Sequence, residues 1–164
     1  MKFLSLTCIL LLGMAFAGPA PAQSAPRASC GRAENYMQMH QIEANFHQAA
    51  TDHNLDQMMS LFAKDATVVA FGKTYTGADQ IRQFWLSSGP FTHQWVGYTP
   101  AFLITYKIAG NTGHLNFDCF YADTQDKKVT AHVDASAVVV LQNGKWLLHE
   151  VTFTPHKVQL ASLP

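Results

Sequence analysis

Asp118, His132 and Asp134 are the residues whose types and spacing best suit proton transfer in this chain. A carboxylate beside an imidazole orients the ring and raises its pKa, a common way to make a general base that works near neutrality. The catalytic candidates are therefore His132 with Asp118 and Asp134, and His149 is a possible fourth member. A competing set is His40, Glu43 and His47, spaced i, i+3 and i+7. Two imidazoles and a carboxylate can hold a metal, but the familiar helical zinc pair uses i and i+4, and no third strong ligand lies nearby in sequence. The expectation is a solvated helix flank, with no metal and no cofactor. Cys30 and Cys119 are too far apart for a cysteine-based zinc motif. Neither a glycine-rich phosphate loop nor a Gly-x-Ser-x-Gly elbow is present, which argues against nucleotide-dependent and serine-hydrolase chemistry.

These residues fall on segments with a period of two. Phe102, Ile104, Tyr106 and Ile108 alternate in one, and Leu115, Phe117, Cys119 and Tyr121 in the next. A further strand carries Ala131, Val133, Ala135, Ala137 and Val139 on one face and His132, Asp134 and Ser136 on the other. Asn143-Gly144 is a strong hairpin signal leading into Trp146 to Thr154. Parity requires His114, Asn116 and Asp118 to share a face with His132, Asp134 and Ser136, because a one-residue slip would mix polar with apolar. The register expected is Asp118 opposite His132 and Asn116 opposite Asp134. Two orientations stay open. Either this polar face looks into a cavity, or the apolar face turns to the helices and leaves the cluster to solvent or a partner subunit. His149 has the alternative of being a hydrogen-bonded core histidine.

Helical spacing precedes the strands. Met39, Ile42, Phe46, Ala49, Ala50 and His53 recur at three- and four-residue steps from Glu34 onward. Asn54 is a plausible N-cap for a second helix, Ala66 to Phe71 reads as a strand covered on both sides, and Ala78 to Ser88 forms a third helix with Ile81, Phe84 and Trp85 inward. Helices first and a long meander after is an α+β order. Ahead of all this, Lys2, the apolar run Phe3 to Phe16 and Ala20-Pro21-Ala22 read as a signal peptide over 1–22. Residues 23–33 read as a disordered leader and 34–158 as one domain, about 140 residues remaining after cleavage, near the commonest domain size. The chain is expected to be secreted or periplasmic and free of the membrane once the signal is removed. Charged residues are 13% of the chain and the formal net charge is zero, so nothing suggests attraction to nucleic acid.

Asn54-Leu55-Asp56, Leu61-Phe62-Ala63-Lys64-Asp65-Ala66, Tyr75-Thr76-Gly77, Ile81-Arg82-Gln83-Phe84-Trp85 and Asn143-Gly144-Lys145-Trp146 together resemble the SnoaL-like and related NTF2-like domains. The resemblance implies an NTF2-like cone, three N-terminal helices packed on a strongly curved antiparallel sheet, enclosing a small-molecule pocket and usually forming a homodimer. It fixes fold better than function. Compared with the steroid isomerases of that superfamily, the general-base aspartate position holds Ala70, the tyrosine position Phe46, and the protonated-aspartate position falls near Ser136. Alanine and phenylalanine move no protons, so the isomerase mechanism does not transfer. The resemblance puts Phe46, Ala70 and Ser136 at the ligand pocket, with His149 and Phe153 added from the last strand. Two functions follow: cofactor-free acid-base chemistry of isomerase, dehydratase or cyclase type on a small, largely apolar substrate, or a non-catalytic ligand-binding or dimeric scaffold domain of the envelope.

Overall fold

Helix α1 (Ala28–Thr51) is where the described part of the computed structural model begins; it covers residues 28–158, so the expected signal peptide lies outside the described residues. The helix starts ahead of Glu34, where Gly31 and Ala33 are exposed and leave no apolar period to announce it. From Met39 through Ala50 its stripe is buried as expected, while His53 falls past the helix and is only half-buried. His53, in the left-handed region at φ 53°, ends the run, with the Asn54 N–H bonded to the Ala49 carbonyl at 2.8 Å. Asn54 then caps α2 (Leu55–Met59), its Oδ1 accepting the Gln57 N–H at 3.0 Å.

Strand β1 (Phe62–Ala70) folds back through Phe71 and Gly72, at φ 51° and 75°, into β2 (Lys73–Thr76), the left-handed pair of a type I′ hairpin. This hairpin is absent from the sequence expectation because β2 is four residues long and carries no alternating apolar pattern. Next comes α3 (Gly77–Leu86), burying Ile81, Phe84 and Trp85 as expected, and the short α4 (Gly89–Thr92) with Pro90 in its first turn. The remaining strands are β3 (Trp95–Tyr98), β4 (Thr105–Ala109), β5 (Thr112–Asp123), β6 (Val129–Gln142) and β7 (Lys145–His156). Phe102 is not in a strand; it sits in a 3-10 turn, 82% exposed.

One mixed sheet runs β2-β1-β7-β6-β5-β3, with β4 beside the other half of β5. Every pairing is antiparallel except β1 with β7, which is parallel. The helices cover one face of this curved sheet, the cone expected from the resemblance. On that covered face lie Leu115, Phe117, Cys119, Tyr121, Ala135, Ala137 and Val139, all buried. Cys119 is a free thiol sealed in this layer, and burial pushes its pKa far above the ordinary thiol range. The Asn143-Gly144 turn forms as expected, with Gln142 opposite Lys145.

Register shifts between Leu148 and Glu150, where His149 is the extra residue of a β-bulge opposite Val138 and Val139. The bulge is what lets Trp146 and Leu148 point inward before it and Val151 and Phe153 after it. Simple alternation would have put His149 on the face of Val151 and Phe153. Phe46 of α1 is fully buried against this layer, its ring centroid 5.4 Å from Phe117, 5.3 Å from Trp85 and 6.0 Å from Phe153. Truncating it removes the aromatic contacts that join α1, α3 and the sheet. Phe46→Ala is expected to cost about 3–5 kcal/mol in urea denaturation; a loss under about 1 kcal/mol would show that the helix is not anchored there.

Candidate functional site

A cavity of about 220 Å³ opens between α3, α4 and the ends of β3, β6 and β7. Its walls are Phe84, Trp85, Trp95, Val133 and Phe153, with Phe71 from the β1–β2 turn. The walls are almost entirely apolar and aromatic. Phe71 is 66% exposed and held at positive φ, a costly conformation for a bulky residue, so the turn geometry rather than solvent avoidance puts this ring beside the opening. Trp85 contributes a buried indole N–H with no hydrogen-bond partner. An unpaired buried donor costs on the order of 1–3 kcal/mol, a local penalty the packing around Trp85 carries.

Of the pocket residues expected from sequence, Phe153 lines the cavity. Phe46 packs behind the wall, against Phe153 and Trp85. Ala70 is buried at the end of β1, beside Phe153 of β7. Ser136 is exposed on the opposite face of the sheet from the helices, because its neighbours Ala135 and Ala137 take the inward positions. His149 is held at the bulge, its Nε2 3.5 Å from Asp65, far along β7 from the other candidates. It is neither the fourth member of the cluster nor a core histidine.

The Asp118, His132 and Asp134 cluster does assemble, on the outer face. Asp118 pairs with Asp134, and His132 with Phe120, so the register differs by two residues from that expected. One residue of the difference comes from the bulge between Tyr121 and Ala122, and the other from the turn, which sets Ala122 opposite Val129. The shared face is as parity demanded. His132 Nε2 reaches diagonally to Asp118 Oδ2 at 3.3 Å and along its own strand to Asp134 Oδ1 at 3.5 Å. Of the two orientations left open, the apolar face turned to the helices, because burying it removes far more hydrocarbon from water. Even so, the cluster is not remote from the cavity, since His132 and its neighbour across the strand, His156, both border the opening.

His156 was missed by sequence reasoning. An unbroken two-residue hairpin at Asn143-Gly144 would set His132 opposite Pro155; the bulge at His149 advances β7 by one residue and brings His156 there instead. The signal was present only as a parity conflict between Leu148 and Val151.

Glu43 and His47 were also misjudged. They are 9% and 6% exposed, between α1 and β3, and not on a solvated flank. The stripe is simply wider than the apolar residues that mark it. His47 Nε2 lies 2.7 Å from Thr99 Oγ1 and 3.3 Å from Glu43 Oε1. Thr99 spends its one hydroxyl hydrogen on the Asp118 carbonyl at 2.5 Å, so His47 must donate from Nε2. That leaves Nδ1 a bare lone pair without a partner. Gly97 makes the fit possible, since a Cβ there would come within 2.7 Å of that nitrogen. Burial pulls the His47 pKa from 6.5 down to about 4 and raises that of Glu43. These groups tie α1 to β3 and to the strand that carries Asp118.

An α+β cone with an apolar cavity at its open end is the class of domain defined by this architecture. The chain belongs to the SnoaL-like domain family, whose model matches residues 40–153. A comparison with curated proteins finds no match. Among solved structures, a cystatin-like-fold protein of unknown function from Nostoc punctiforme superposes with TM-score 0.68 at 16% identity, covering 80% of this chain and 96% of its own. A candidate scytalone dehydratase from Novosphingobium aromaticivorans gives TM-score 0.67 at 11% identity, with 83% and 93% covered. A candidate ketosteroid isomerase from Shewanella frigidimarina gives 0.59 at 12%, with 71% and 94% covered. At these identities the likeness is one of fold.

Between pH 6.5 and about 4 the unfolded His47 binds a proton that the folded one refuses, so acid favours unfolding. Glu43 acts with the opposite sign, its raised folded pKa adding stability toward acid. The His47 share is isolated by comparison with His47→Phe. The wild type is expected to lose up to about 3 kcal/mol relative to that variant as pH falls from 7 to 4, read from urea midpoints at each pH. Parallel pH profiles would refute the buried neutral imidazole.

Proposed function

We propose that this domain binds a small, largely apolar, ring-containing ligand in the cavity walled by Trp85, Trp95, Val133 and Phe153. The observation that carries the reading is a cavity of about 220 Å³ whose walls are almost entirely apolar and aromatic. A cavity of roughly 150 Å³ accommodates benzene, so about 220 Å³ suits one or two rings. A polar end of the ligand would lie by His132 and His156. Small-molecule binding is in keeping with the family, and solved relatives of this fold include candidate dehydratase and isomerase proteins.

A second reading, cofactor-free proton transfer with His132 as base and Asp118 orienting it, is favoured by their 3.3 Å contact at the cavity edge. In that case the substrate would carry an acidic C–H or a leaving hydroxyl at its outer end. We also place the domain outside the cytoplasm as a homodimer, on the apolar run Phe3 to Phe16, the small residues before Gln23 and the sparse surface charge. Among the described residues no helix is long and apolar enough to cross a membrane.

Two of the three tryptophans line the cavity, so intrinsic fluorescence reports on it. Titration with 2-naphthol is expected to quench that emission saturably in the wild type and not in Val133→Phe, which fills the space. Absence of saturable quenching, or equal quenching in both, would refute the pocket. For the second reading, His132→Ala should lose about 10²–10⁴-fold in turnover of a responsive substrate while still binding 2-naphthol. For export, the N-terminus of protein recovered outside the cytoplasm should be Gln23; a retained Met1 would count against it.

A further inference from the structure

Asp118 and Asp134 stand directly opposite one another on neighbouring strands. Like charges in that position repel, and among the described residues no lysine or arginine is paired with either carboxylate. Their partners are imidazoles. His132 Nε2 lies 3.5 Å from Asp134 Oδ1, and His156 Nε2 lies 2.5 Å from Asp134 Oδ2, so each oxygen of one carboxylate faces a different ring nitrogen. The two rings are stacked, centroids 4.5 Å apart at 22°, and Phe120 stacks on the other side of His132 at 4.2 Å and 11°. The stack holds both imidazoles with their Nε2 atoms toward the same carboxylate.

We propose that His132, Asp134 and His156 form a binding site for a first-row divalent transition-metal ion at the mouth of the apolar cavity. One ligand atom from each lies within 4.8 Å of the others. A tetrahedral ion with ligands at about 2.0–2.1 Å holds them about 3.3–3.4 Å apart; His132 Nε2 and Asp134 Oδ1 are already spaced for it, and His156 Nε2, which faces the other oxygen of Asp134, shifts to share the ion on loading. Two imidazole nitrogens with a carboxylate suit zinc, iron or cobalt rather than magnesium or calcium, which prefer oxygen. Asp118, 3.3 Å from His132 Nε2, adds negative charge beside the ion and completes the site as a further ligand or as a hydrogen-bond partner to one. The ion supplies the positive charge that the facing carboxylates lack. Because His132 and His156 border the cavity, the ion would meet the polar end of whatever the cavity holds. Metal occupancy and the free-base role of His132 exclude each other, since both use the Nε2 lone pair.

The test uses the tag-free chain, stripped with chelator and titrated with Zn²⁺ by calorimetry and with Co²⁺ by visible d–d absorption. One ion per chain is expected, with cobalt spectra showing nitrogen and oxygen ligation. His156→Ala and Asp134→Asn should abolish saturable binding, Asp118→Asn should weaken it about 10–100-fold, and the exposed His114→Ala should leave it unchanged. Circular dichroism of each variant confirms that it is folded. No saturable binding by the wild type, or binding that survives both His156→Ala and Asp134→Asn, overturns the proposal. No apolar ligand enters the measurement, so its outcome is independent of the 2-naphthol titration.

Discussion

A residue in a strand can serve only one side of its sheet, and in this chain the inner side is claimed by hydrocarbon. Leu115, Phe117, Ala135, Ala137, Val139, Val151 and Phe153 share that side and are covered by α1 and α3. Burying the Leu, Phe and Val side chains among them is worth about 1.5–3 kcal/mol each, which outweighs any gain from drawing the intervening histidines and aspartates inward. The polar groups of β5 and β6 are thereby sent outside. The interior polar groups that remain, Glu43 and His47, come from the helix, where no strict alternation applies. The distribution of chemistry between the two faces follows from this single choice.

Those two polar sets are joined through Thr99. Its hydroxyl touches His47 within the cone and the backbone carbonyl of Asp118 in the strand whose side chain points the other way. Thr99 follows β3, and Gly97 within that strand allows the close approach to His47. The buried pair therefore fixes the backbone from which the outer cluster is displayed, even though the two clusters share no side-chain contact.

Much of the architecture could be read from residue order. Asn54 as a cap, the inward trio of α3, the Asn143-Gly144 turn and the shared polar face of β5 and β6 all rest on local rules, and local rules held. The site was legible in part. The grouping of Asp118, His132 and Asp134 followed from parity, but their exact pairing did not, because a bulge shifts register without leaving a composition signal. His156 stayed hidden for the same reason at a second bulge, and Glu43 and His47 because charged and polar residue types suggest solvent when read along a helix. The cavity mouth depends on β3, α4 and the Phe71 turn, short pieces whose positions are set by long-range packing.

The parallel pairing of β1 with β7 has a consequence for the order in which the molecule is made. β1 ends at Ala70, yet its inner neighbour is drawn from Lys145–His156, the last of the described strands. Hairpins within β4 to β7 can close as they emerge, but α1 and α3 have no complete surface to settle on until the final strand arrives. Closure of the sheet therefore waits for a contact of high sequence separation, the kind that forms slowly.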